Sequence, residues 1–212
     1  MSPFRRLVPL ALGLCACDAR PPAPVEPPKS SSSTAPASTP SPVTTTPSPA
    51  TPQRNPREPR INLAKLFDAV AANFNEDRDV AGQAKHFCAN DGRAKGESGF
   101  VPPLSVKCSA APGGLCSPST TQSDAAGSYD AKLWADHPVW RSLGFAVKEP
   151  HAFHYNFIWE NETTGFGKCQ FTIQALADLD GDDVWSTYER SGIAAEDGIN
   201  GSAGLYIDQE LE

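Results

Sequence analysis

Residues 168–189 read KCQFTIQALADLDGDDVWSTYE, and whether the run entering Asp178 is helix or strand decides the fold. Five carboxylates occupy the twelve positions from Asp178 to Glu189. Like charges repel, so the crowding points to a cation held between them. Calcium takes six to eight oxygens, and an EF-hand loop supplies them from its first, third, fifth, seventh, ninth and twelfth positions. Counted from Asp178, these fall on Asp178, Asp180, Asp182, Val184 through its carbonyl, Ser186 and Glu189. The sixth position usually needs Gly because its φ is positive. Here Asp183 stands there, with Gly181 two residues early, and Asp is among the less penalised residues in that conformation. A structural calcium ion is therefore the expected cofactor, in the weak extracellular class of roughly 10⁻⁴–10⁻³ M. The bland reading of the same residues is a solvated acidic turn.

The flanks separate two architectures. An EF-hand carries a helix on each side of the loop, whereas QFTIQALA alternates with period two and predicts a strand. Working outward, AFHYNFIWE (152–160) sets Phe153, Tyr155, Phe157 and Trp159 against His154, Asn156 and Ile158, the pattern of a half-buried strand. VWSTYE (184–189) and GLYIDQEL (204–211) supply two more β candidates, and Gly165 and Gly167 turn the chain between the first two strands. In NLAKLFDAVAANF (62–74), Leu63, Leu66, Phe67, Val70 and Phe74 form one stripe of an amphipathic helix with Asn62 as its cap. Trp134, Trp140, Leu143 and Phe145 are core anchors, from a short helical turn. The stretch from Glu76 to Tyr129 reads as long loops. The expected fold class is α+β, one amphipathic helix packed on a roughly four-stranded antiparallel sheet.

Cys88, Cys108, Cys116 and Cys169 lie in this part of the chain, an even number that predicts two disulfides with three possible connectivities. Cys108 and Cys116 bracket a Pro-Gly-Gly turn, which makes a local bridge easy and leaves Cys88 with Cys169. Zinc is the competing use, without a CxxC pair to support it.

Upstream the texture changes. Residues 20–59 hold 13 of the 21 prolines and no aromatic residue, so they cannot bury enough apolar surface to offset ordering entropy. A disordered Pro/Ser/Thr-rich linker is expected over 17–59, with the globular domain over 60–212. Residues 1–16 begin with Arg5 and Arg6 before the apolar run Leu7–Ala16, a secretory signal too short to span a bilayer. Leu14-Cys15-Ala16-Cys17 resembles a bacterial lipobox with Cys17 as the lipidated residue. The expectation is an exported protein, lipid-anchored to a bacterial membrane whose identity the sequence leaves open. The formal charge of −7 gives no support to nucleic-acid binding.

Together, WRSLGF (140–145), Phe153-His154-Tyr155 and Phe171-Thr172-Ile173 running into ALADLDGDDVWSTYERSG resemble the C-terminal part of bacterial type IV pilin-like proteins. Those follow a W..LGF segment with an aromatic F.Y strand, an FTA.A.GDLDGDG loop and STFE. The resemblance spans Asn62 onward, with specific motifs from Trp134 to Gly192. It implies that the helix is the exposed half of the long pilin helix, on which the sheet packs as a pilin-like head. The chain departs from the family in lacking the prepilin processing site and the apolar stretch that builds the filament core. The head stands instead on a lipid anchor and a Pro-rich stalk.

For enzymatic chemistry the signals are thin. His151 and His154 fall on opposite faces of a strand, and His86 and His137 have no evident partner. The expected function is a non-catalytic, lipid-anchored envelope protein with a structural calcium, in adhesion or pilus-associated interactions, with envelope or pilus proteins as partners. The alternatives are an EF-hand-type calcium-binding interaction module and, behind it, a small cell-wall-acting enzyme.

Overall fold

The structure, a computed structural model, describes residues 55–121, 123–162, 167–201 and 204–210. The signal peptide 1–16, Cys17, the linker as far as residue 54 and Gly165 lie outside the described residues. Helix α1 (Arg57–Phe74) comes first, and its period of 3.6 buries Leu63, Leu66, Val70 and Phe74 on one face. It starts at Arg57 rather than behind a cap at Asn62, so Arg57, Glu58 and Pro59 belong to the folded domain and not to the linker. The reason is tertiary. Glu58, in the first turn, accepts hydrogen bonds from the backbone N–H groups of Ala152 and Phe153 at 3.0 and 3.2 Å and from the Tyr155 hydroxyl at 2.9 Å. Pro59 is tolerated there because first-turn N–H groups have no intrahelical acceptor. Asn62 sits inside the helix and donates from Nδ2 to the Tyr155 hydroxyl at 2.8 Å.

The remaining elements are β1 (Arg78–Val80), β2 (Gln83–Lys85), β3 (Lys95–Glu97), β4 (Ser117–Ser119), β5 (Ser128–Asp130), α2 (Lys132–Asp136), α3 (Pro138–Leu143), β6 (His154–Asn161), β7 (Cys169–Ala177), β8 (Ser186–Ala195), β9 (Gly198–Gly201) and β10 (Tyr206–Asp208). One six-stranded antiparallel sheet has the order β10-β8-β7-β6-β3, with β9 also paired to β8. The four expected strands are β6, β7, β8 and β10; β3 and β9 extend the sheet beyond them. Lys95-Gly96-Glu97 and Gly198-Ile199-Asn200-Gly201 lack the β-branched and aromatic run that marks a strand, so pairing alone makes them one. The loop-rich segment between α1 and α2 also holds a short β1–β2 hairpin and a parallel β4–β5 pair.

Register places Tyr155, Ala175 and Tyr188 in one row, Phe157, Ile173 and Arg190 in the next and Trp159, Phe171 and Gly192 in the one after, on the face that receives α1. Gly192 is required there: a Cβ would lie 2.6 Å from the Phe171 ring and 3.1 Å from Phe67. The opposite face is not open to water at β6, as a half-buried strand would be. His154 and Asn156 are buried, because residues 102–108 cross over His154 and Asn156 is bonded to Ser98, Glu97 and Gln174. Two disulfides, Cys88–Cys169 and Cys108–Cys116, fasten the loop-rich segment, so the cysteines are not a zinc set. In the chain-entropy account the long link is worth about 4.5 kcal/mol and the short one about 2.5 kcal/mol.

Candidate functional site

Residues 178–185 connect β7 to β8, which pair in antiparallel register down to Ala177 and Ser186. The acidic loop is therefore the end of a β-hairpin. The EF-hand alternative falls on this point, since strands stand where it needs helices: Cys169, Phe171, Ile173, Ala175 and Ala177 alternate onto the buried face.

Gly181 has φ 87° and Asp183 φ 68°, so the left-handed sixth position exists and is filled by Asp. The side chains are fixed by short-range bonds. The Gly181 N–H donates to Asp178 Oδ1 at 2.7 Å and the Val184 N–H donates to Asp182 Oδ1 at 2.8 Å, turns that Asp is suited to make. One carboxylate oxygen each from Asp178, Asp180 and Asp182 lies within 4.8 Å of the others. Asp180 and Asp182 are exposed, but the Asp178 side chain is only 3 % exposed. Its Oδ2 accepts no hydrogen bond.

Glu189 is not in this group, and neither it nor Ser186 stays in the loop. Both have entered β8, where Ser186 Oγ donates to the Gln209 carbonyl at 2.7 Å and Glu189 Oε1 accepts from Gln174 Nε2 at 2.5 Å. Glu189 ends a polar ladder across the sheet, in which Asn156 Nδ2 bonds both Glu97 and Gln174. Val184 stays in the loop, half-buried at its edge.

Lys107, absent from the sequence-level site, comes in from a distant segment. Its Nζ is 2.5 Å from Asp183 Oδ1, 3.8 Å from Asp178 Oδ2 and 5.2 Å from the centre of the Trp185 ring. The hydrogen bond to Asp183 is the main reason its ammonium is held above the ordinary lysine range. The neighbouring Cys108 is tied to Cys116, and the ring of His154 lies against Trp185 with centroids 5.7 Å apart. His154 donates from Nδ1 to the Pro102 carbonyl, and burial lowers its pKa.

Chemically, clustered carboxylate oxygens suit a hard divalent cation such as calcium, and three Asp residues are fewer donors than its six to eight. A calcium ion held there would need water or further protein oxygens to complete its shell.

A second buried polar centre lies at the junction of α1 and β6. Burial raises the Glu58 carboxyl despite its three donors, pushes Tyr129 up to about 12 and pushes His151 down to about 4. His151 Nδ1 donates to the Glu149 carbonyl at 2.8 Å, and its Nε2 accepts from the Tyr129 hydroxyl at 3.3 Å. Glu58 and His151 border a cleft of about 540 Å³, but both are saturated by protein partners and no Ser, Thr or Cys lines it among the described residues. The other two histidines also have partners. His86 Nδ1 donates to the carbonyl of Phe74 at the end of α1, and His137 caps α3 by accepting from the Val139 N–H.

Compared with protein-family models, with curated proteins and with solved structures, the chain matches none of them. Its own residues carry the functional argument.

Proposed function

We propose that this chain is a lipid-anchored protein of the bacterial cell envelope whose non-catalytic, pilin-like head is stabilised by calcium at Asp178, Asp180 and Asp182. One observation carries the metal reading: one carboxylate oxygen each from Asp178, Asp180 and Asp182 comes within 4.8 Å of the others, and the buried Asp178 Oδ2 accepts no hydrogen bond, with the Lys107 ammonium 3.8 Å away. A buried carboxylate oxygen without a donor is costly, and a divalent ion bound there offsets that cost.

Support for the head comes from α1 lying on β7 and β8 and from the acidic loop closing a hairpin of the same sheet. Two disulfides agree with an exported, oxidising location. Cys17 then joins the head to the membrane, and envelope or pilus proteins are its partners. In this reading its role is display and adhesion rather than turnover.

The test is the thermal midpoint of the full chain in calcium and in chelator. Millimolar calcium raises it by about 3–6 °C, equivalent to roughly 1–2 kcal/mol, and Asp180→Ala removes the gain. No shift at millimolar calcium discards the metal. Separately, mass spectrometry of the membrane-extracted protein reads acylation at Cys17, and Cys17→Ala releases the chain from membranes. An unmodified Cys17 in the membrane fraction would discard the anchor.

A further inference from the structure

We infer that Lys107 competes with the metal: its ammonium draws on the carboxylates that bind calcium, so binding requires its displacement and this lysine sets the affinity of the site. The inference rests on the calcium reading of the loop.

Geometry leads to it. Lys107 Nζ is 3.8 Å from Asp178 Oδ2, the buried oxygen that accepts no hydrogen bond. A calcium ion bound to that oxygen sits about 2.3–2.6 Å from it. The two cations would then be within a few ångströms of each other, well inside the distance over which salt screens charge.

The lysine is not there by chance of a long side chain. Its segment is fixed by the Cys108–Cys116 disulfide and by the Val106 N–H donating to the Pro103 carbonyl at 2.9 Å. The face of Trp185, itself a loop residue, gives the ammonium a cation–π seat at 5.2 Å. Asp183 completes the arrangement. It occupies the sixth loop position with φ 68°, where Gly costs less backbone strain, and its carboxylate holds Lys107 at 2.5 Å. The residue that departs from the calcium-loop pattern is therefore the one that seats the competitor. Gly181 packs beside Ser109, whose Oγ would be 3.4 Å from a Cβ at that glycine, so the lysine segment and the acidic loop abut.

The experiment is calorimetric titration of calcium chloride into the full chain, comparing wild type with Lys107→Met, and melting both proteins in chelator. Lys107 is partly exposed, 42 % in its side chain, so the variant keeps its core. The expected result has two signs. Lys107→Met binds calcium about tenfold more tightly, and in chelator it melts below wild type because the four Asp side chains lose their counter-charge. A purely structural lysine would lower the melting temperature and leave the affinity alone. Binding by the variant where wild type shows none also supports the inference. Equal affinities overturn it while leaving the calcium reading in place. If neither protein binds calcium and Asp180→Ala behaves like both, the calcium reading fails and the inference fails with it.

Discussion

Glu58, where α1 meets β6, and Asp178, at the tip of the β7–β8 hairpin, are both carboxylates withdrawn from water, yet the protein treats them in opposite ways. Around Glu58, Oε2 accepts from the Ala152 N–H, and Oε1 accepts from the Phe153 N–H and the Tyr155 hydroxyl. Around Asp178, Oδ1 accepts from the Gly181 N–H, while Oδ2 accepts no hydrogen bond and lies 3.8 Å from the Lys107 ammonium. A carboxylate that serves as a clamp is saturated by donors from the scaffold, because an unmade bond in a buried place costs more than a made one gains. A carboxylate that is to serve a metal, as proposed for Asp178, would keep an oxygen open, and an ammonium 3.8 Å away offsets only part of that cost.

The comparison breaks first at Glu58. Glu58→Ala leaves two backbone N–H groups and a tyrosine hydroxyl without their acceptor, and the expected loss is about 3 kcal/mol in urea unfolding of the full chain. The calcium-induced rise in midpoint stays as in wild type. A loss below about 1 kcal/mol would mean that water replaces the carboxylate without penalty, and Glu58 would be no clamp.

Acid probes the same junction. Burial lowers His151 to about 4, below the ordinary 6.5 that it takes in the unfolded chain. The unfolded state therefore binds the proton first, and the contribution of neutral His151 is complete above about pH 6.5 and drains away toward pH 4. Glu58 acts in the opposite sense. Its folded pKa is raised, so the folded state holds a proton to higher pH than the unfolded one, and acidification relieves the cost of burying its charge. Between pH 7 and 4.5 His151 alone is expected to cost about 2 kcal/mol. His151→Gln, which cannot charge, should flatten the pH dependence of unfolding by that amount. An unchanged slope would mean that His151 is solvated at the junction.

What the sequence revealed follows the range of the interaction. The stripe Leu63, Leu66, Val70 and Phe74 and the alternation in β7 are local periods that survive in the structure, whereas in β6 the strand survives and its half-exposed face does not. The Cys108–Cys116 bridge was readable from its Pro-Gly-Gly turn, and the Cys88–Cys169 bridge only by what it left over. The helix start at Arg57 was hidden, because Glu58 finds its donors at Ala152, Phe153 and Tyr155, at the start of β6 and just before it. Lys107 was hidden for the same reason, standing 76 positions from Asp183. Ser186 and Glu189 show a subtler failure. Their offsets match a calcium loop, but those offsets presume a following helix that rises about 1.5 Å per residue. A strand advances about 3.3 Å per residue, so Glu189 is carried along β8 to Gln174 instead of back over the loop.

The smallest effect is the most discriminating. In Asp178→Asn the amide oxygen can keep the Gly181 N–H, while the amide nitrogen turns an open acceptor into a donor beside the carboxylates of Asp180 and Asp182. One charge also leaves a crowded loop. The attraction to Lys107 that is lost spans 3.8 Å to a partly exposed ammonium, which is a weak pair. In chelator the variant should therefore be more stable than wild type, by about 1 kcal/mol. In calcium the order should close or invert, because wild type gains and the variant does not. A stabilised variant is the outcome that a clamp like Glu58 cannot give. If Asp178→Asn is less stable in chelator and calcium moves it as much as wild type, then Asp178 is a second clamp and the difference between the two carboxylates disappears.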